Sequence, residues 1–82
     1  MPKLKRLSGK ELIKILEGFG FKVISQKGSH VRLQRMIDDK EQRLTIPLQG
    51  SKEIKLGTLS GIYKQAVEFI PEDDLREHFY SD

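Results

Sequence analysis

The chain contains no cysteine and no tryptophan, two histidines, and no long apolar run. Without cysteine there is no disulfide, no thiolate nucleophile and no cysteine–zinc site. The two histidines, His30 and His78, lie 48 positions apart among scattered acids. That spacing supplies no recognisable ligand cluster, so no metal is expected. No glycine-rich phosphate loop of nucleotide-binding type is present, and no cofactor is expected. The lack of a long apolar run excludes a transmembrane helix. Met1–Leu7 is basic but has no apolar centre of the secretory-signal kind, and a cytoplasmic location is the expectation. Aromatics are scarce, and Phe19, Phe21 and Tyr63 read as core residues, which leaves little for base stacking.

What is present suits a small globular body. At 82 residues, 37% hydrophobic and 33% charged, the chain reads as one folded domain spanning 1–82 rather than a disordered segment. A chain of this length buries only about 60–65% of its unfolded surface, enough for a single core. The net charge of +3 conceals an asymmetry. Residues 1–64 hold fourteen Lys/Arg against six Asp/Glu, a balance of +8. Residues 65–82 hold one arginine, Arg76, against six acids, a balance of −5. A basic body is suited to phosphates, with the acidic end turned away or docked on a protein. The plainer reading is a solvated surface with a polar tail.

Ser8-Gly9-Lys10-Glu11 has the form of a capping box. Leu12, Ile13, Leu16 and Phe19 follow at helical spacing, and Gly20 suits the left-handed residue after a helix. These signals predict a helix over about 9–18. Phe21–Gln26 is rich in strand formers, with Phe21 and Val23 on one face, and Lys27-Gly28 suggests a tight turn. His30–Arg35 alternates, placing Val31 and Leu33 inward and His30, Arg32 and Gln34 outward. Ile37–Lys40 reads as the next turn, and Arg43–Ile46 as a strand ended by Pro47. Short connections favour an antiparallel meander. A polar loop over 48–57 carries Lys52 and Lys55. A second helix is expected from Gly57 or Thr58 to Val67, its interior Gly61 explained by close packing on the sheet. Pro71 opens a last short helix with Glu72, Asp73 and Asp74 at its positive dipole end. The result is an α+β two-layer sandwich of order α-β-β-β-α with a short C-terminal helix.

Gly28-Ser29-His30, where a turn hands over to a strand, is the most telling stretch. A histidine held there by sheet backbone and open to solvent is the residue best suited to move a proton near neutral pH. Together with the basic body it points to a small RNA-handling protein.

Three ordered blocks carry a resemblance: Gly28-Ser29-His30, Ile46-Pro47 closing a strand, and Lys55-Leu56-Gly57-Thr58-Leu59 opening a helix. Gly9–Lys14 and Gly20-Phe21 add to it. Over residues 8 to 68 the chain resembles the HicA family of small toxins, partners of HicB-type antitoxins. The resemblance implies a fold like that of double-stranded-RNA-binding domains and metal-independent endonucleolytic cleavage of messenger RNA. It also implies that His30 is the catalytic residue. Many members carry a second histidine two residues after the strand-ending proline, where this chain has Gln49. A neutral amide exchanges no proton near pH 7, so any role of that histidine is lost here.

RNA carries its own nucleophile, the 2′-hydroxyl, and cleavage needs a base, cations for the phosphorane and an acid for the departing 5′-oxygen. Imidazole, with an ordinary pKa of about 6.5, fits the base, and His30 is assigned that role. Lys27 and Arg32 are candidates to hold the phosphate by charge-assisted hydrogen bonds. Lys52 and Lys55, ahead of the second helix, stand where a helix N-terminus attracts anions. Ser29 either orients histidine or phosphate, or completes the turn. The acid is left between water and a lysine. Two other readings compete: a non-catalytic RNA-binding module of the same fold, and a protein-interaction domain centred on the acidic tail.

Overall fold

The computed structural model describes residues 2–48 and 52–81. The elements in order are β1 (Lys3–Leu4), α1 (Gly9–Gly18), β2 (Lys22–Lys27), β3 (His30–Ile37), β4 (Lys40–Pro47), α2 (Leu56–Ala66), α3 (Glu72–Phe79) and β5 (Tyr80–Ser81). Strands β2, β3 and β4 form an antiparallel sheet in that order. This is the expected α+β arrangement, consistent with the fold of double-stranded-RNA-binding domains. The short β1–β5 pair that joins the two ends of the chain is an addition. Two-residue strands carry too little alternation to be read from sequence.

Each terminus of α1 is fixed by local chemistry. The Ser8 hydroxyl accepts from the Glu11 N–H at 3.2 Å, and the Glu11 carboxylate accepts from the Ser8 N–H at 3.0 Å. At the other end Gly20, at φ 97°, lets its N–H reach the Glu17 carbonyl and that of Phe21 reach the Leu16 carbonyl. That pair of bonds is a Schellman stop. The turn between β3 and β4 is Asp38-Asp39, both at positive φ. A two-residue hairpin favours such angles because they match strand twist, and aspartate tolerates them better than most residues.

The core lies on one face of the sheet. Val31 and Leu33 pair with Ile46 and Leu44, and all four are buried beneath Leu12 and Leu16 of α1 and Leu59, Ile62 and Ala66 of α2. Each such side chain contributes about 1.5–3 kcal/mol on burial. Both α1 and α2 rest on β4. Edge strand β2 therefore lies outside their cover, and every one of its residues is exposed. Phe21, just before the strand, is buried, whereas Val23 remains 47% exposed; the expected shared face of Phe21 and Val23 does not make a shared core position. A bulge between Val23 and Ser25 adds a further irregularity.

Gly61 also departs from expectation. A Cβ built on it would meet nothing within 4 Å, so close packing does not explain it. It lies on the exposed side of α2.

Arg35 holds the layers together. Next in the inward series after Leu33, it donates to the Phe19 carbonyl at 2.8 Å, the Phe69 carbonyl at 2.7 Å and the Gln42 side chain at 2.8 Å. Its guanidinium lies 4.9 Å from the centre of the Phe21 ring. Burial lowers its pKa, but a guanidinium stays charged. One side chain thus satisfies carbonyls just beyond α1 and α2, where helical partners have run out.

The acidic segment packs through α3. Leu75 and Phe79 are buried, and the Tyr63 hydroxyl donates to the Glu72 carboxylate at 2.9 Å. Burial first, then that bond and the charge of Glu72, push the Tyr63 phenol up to about 12. The Lys5 ammonium donates to the Glu77 carbonyl at 2.9 Å, near the negative end of the helix dipole.

Candidate functional site

His30 begins β3, and the turn before it is Gly28-Ser29 rather than Lys27-Gly28. Lys27 and His30 are the paired residues that close this turn. Gly28 takes φ 59°, a left-handed angle that favours glycine. The Gln26 side-chain amide donates to the Gly28 carbonyl at 3.2 Å. From the other side, the Leu48 N–H donates to the Ser29 carbonyl, fastening the turn to the end of β4. His30 is thus held by backbone on both flanks while its side chain is exposed.

The β3–β4 register decides what surrounds the imidazole. His30 faces Pro47, Arg32 faces Thr45, and Gln34 faces Arg43. Directly opposed residues project to the same side, and the alternate pairs Val31–Ile46 and Leu33–Leu44 fill the core. His30, Arg32, Thr45 and Arg43 therefore share the open face. Lys27 pairs with His30 and Ser25 with Arg32, extending this face across β2.

Beside Pro47 lies a cleft of about 210 Å³ lined by Pro47, Lys52, Glu53, Ile54, Lys55 and Thr58. Its position follows from the segment before α2. Ser8 and Glu53 form an antiparallel bridge, and the Ile54 N–H donates to the Leu7 carbonyl at 2.8 Å. With Ile54 buried, Lys52 and Lys55 on either side of it are exposed. Lys55 is the residue at which α2 starts, and no side chain caps that start. Glu53 is the one acid lining the cleft, and Arg6 pairs with it at 3.6 Å. Gly9, at the start of α1, packs so closely on this strand end that a Cβ would lie 2.6 Å from the Pro47 carbonyl oxygen.

The expected site residues thus fall into two groups. His30, Lys27, Ser29 and Arg32 lie together on the turn and the open face. Lys52 and Lys55 line the cleft that Pro47 also borders. Ser29 occupies the turn itself, and among the described residues its hydroxyl has no hydrogen-bond partner. Thr58 was missed; its signal was its place in the first turn of α2, three residues after Lys55. Gln49 lies outside the described residues. His78 is apart from the site, half-buried against Phe19 with ring centres 5.4 Å apart and 3.7 Å from Glu77. Among the described residues, no group of three or more His, Cys, Asp or Glu is placed to hold a metal. Nor is any described helix long and apolar enough to cross a membrane.

Such an arrangement offers cations to an anion in the cleft and, across the ladder from the cleft residue Pro47, an exposed imidazole. Residues 9–67 match the family model described as HicA toxin of bacterial toxin–antitoxin systems. No curated protein and no solved structure matches the chain.

Proposed function

This chain belongs to the HicA toxin family of bacterial toxin–antitoxin systems, and from that membership we propose that residues 1–82 act as a metal-independent endoribonuclease on messenger RNA. The observation that carries the proposal is the placement of His30, exposed and opposite Pro47, a residue that also lines the lysine cleft.

Neutral His30 takes the 2′-hydroxyl proton as the 2′-oxygen attacks the adjacent phosphorus. The bond from phosphorus to the 5′-oxygen then breaks, leaving a 2′,3′-cyclic phosphate and a 5′-hydroxyl. Lys27 and the cleft lysines Lys52 and Lys55 stabilise the extra negative charge of the phosphorane. The Thr58 hydroxyl and the first N–H groups of α2, which have no partner within the helix, add donors at the same place. The departing oxygen takes its proton from water, since the site is open to solvent. General-base assistance of this kind contributes about 10²–10⁴-fold. In the cell, a HicB-like antitoxin silences the toxin by covering His30 and the basic face.

The test is incubation of the purified chain with messenger RNA in excess chelator, followed by analysis of product ends. Cyclic-phosphate and 5′-hydroxyl ends are expected. Cleavage that requires added metal would overturn the mechanism. RNA that is bound but never cut would favour the non-catalytic module.

A further inference from the structure

We propose that Arg32, Thr45 and Arg43 form a second phosphate subsite on the open sheet face, holding the RNA backbone one linkage away from the bond that is cut. The inference rests on the reading of the chain as an RNA-cleaving toxin and extends it to how the substrate lies.

These three residues, with Leu44, line a separate cleft of about 270 Å³. Arg32 and Thr45 are direct partners across the ladder, and Arg43 lies two residues from Thr45 on the same face. Both arginines and the threonine are exposed. Glu41, next along β4 on that face, forms an exposed ion pair with Arg43 and so competes with a phosphate for its guanidinium. Arg32 forms no ion pair among the described residues. The cleft therefore offers two guanidinium groups and a hydroxyl, a donor set matched to phosphate oxygens. It contains no aromatic ring, so it does not supply a stacking platform for a base.

Its location gives the strand a path. His30 and Arg32 are two residues apart on one strand, hence separated by about 6.8 Å. Successive phosphates of an extended single strand are spaced on the same scale. A phosphate held at Arg32 and Arg43 leaves its neighbour beside His30, Lys27 and the lysine cleft. The backbone then runs along the β3–β4 hairpin. The subsite fixes the position of the cut linkage relative to His30, and Arg43 is a positioning residue that touches no reacting atom.

The experiment compares wild type with Arg43→Ala, Arg43→Lys and Glu41→Gln on a short oligoribonucleotide cut at one site. A second version of the substrate carries a neutral methylphosphonate one linkage from that site. On the ordinary substrate Arg43→Ala is expected to raise KM about fivefold with kcat little changed, the loss of one exposed phosphate contact. Its salt dependence of log affinity falls by about one. Arg43→Lys restores part of the loss, and Glu41→Gln tightens binding. The neutral linkage weakens wild type by at least a similar factor and Arg43→Ala by less, since only Arg32 and Thr45 still meet that phosphate there. Equal sensitivity of both proteins to the neutral linkage, or an unchanged KM in Arg43→Ala, overturns the subsite. So does weakened antitoxin binding as the sole effect of Arg43→Ala. Failure of wild type to cut any RNA instead removes the parent reading and is seen before the variants are compared.

Discussion

Gly9 abuts Pro47: a side-chain carbon on Gly9 would sit 2.6 Å from the Pro47 carbonyl oxygen and 3.0 Å from the Leu48 side chain. The start of α1 thereby braces the strand end that faces His30. Gly9 is required for space, since its φ is not in the left-handed region. Gly9→Val is expected to cost about 1–3 kcal/mol, as overpacking does, and to lower RNA cleavage beyond the fraction unfolded. Thermal melts together with cleavage rates check this. A variant as stable and active as wild type would show that the contact relaxes freely.

Gly61 is the opposite case. It sits in the interior of α2 with open space around it. Replacing it by alanine removes backbone freedom from the unfolded chain and meets no obstacle. Gly61→Ala should stabilise the protein by about 0.5–1 kcal/mol, read as a higher urea midpoint with unchanged slope.

Arg35 ties the segments that follow α1 and α2 to the sheet through two hydrogen bonds and the face of Phe21, and a third bond joins it to Gln42 within the sheet. Arg35→Met keeps the stem but strips the donors, leaving the Phe19 and Phe69 carbonyls without this partner. A loss of about 2–3 kcal/mol is expected. Arg35→Lys should recover only a minor part, because the three donors of an ammonium sit on one nitrogen and do not span acceptors arranged around a planar guanidinium. Cleavage per folded molecule should be unaltered in both variants. A specific activity defect at full stability would assign Arg35 to the site instead.

Tyr63 sets a limit at high pH. Its phenol is raised to about 12 by burial and by Glu72, above its ordinary value of 10.0. The folded state therefore holds this proton more tightly than the unfolded state. Its stabilising effect is complete below pH 10 and fades as pH climbs toward 12. Urea denaturation across that window should show a decline that Tyr63→Phe reduces. An identical decline in the variant would mean that other groups cause it.

The capping box at Ser8 and the glycine stop at Gly20 were legible because each lies within a few residues of sequence. So was the outward face of β3, since strict alternation fixes which side His30 and Arg32 take. What escaped is non-local. Arg35 reads as one more polar strand residue until two chain segments meet beside it. Arg43 joins Arg32 only through the hairpin register. Val23 pairs with the inward Leu33 yet stays exposed, because alternation reveals a face but not how far the helices reach over it. The cleft formed with Pro47 depends on the Ser8–Glu53 bridge, a contact across 45 positions.

Single-turnover cleavage by His30→Ala, measured beside its RNA affinity, tests the assignment of the imidazole most directly. The expected result is a rate lower by about 10²–10⁴-fold with affinity within a few-fold of wild type. Cleavage by His30→Ala at the wild-type rate would contradict the proposed role of His30.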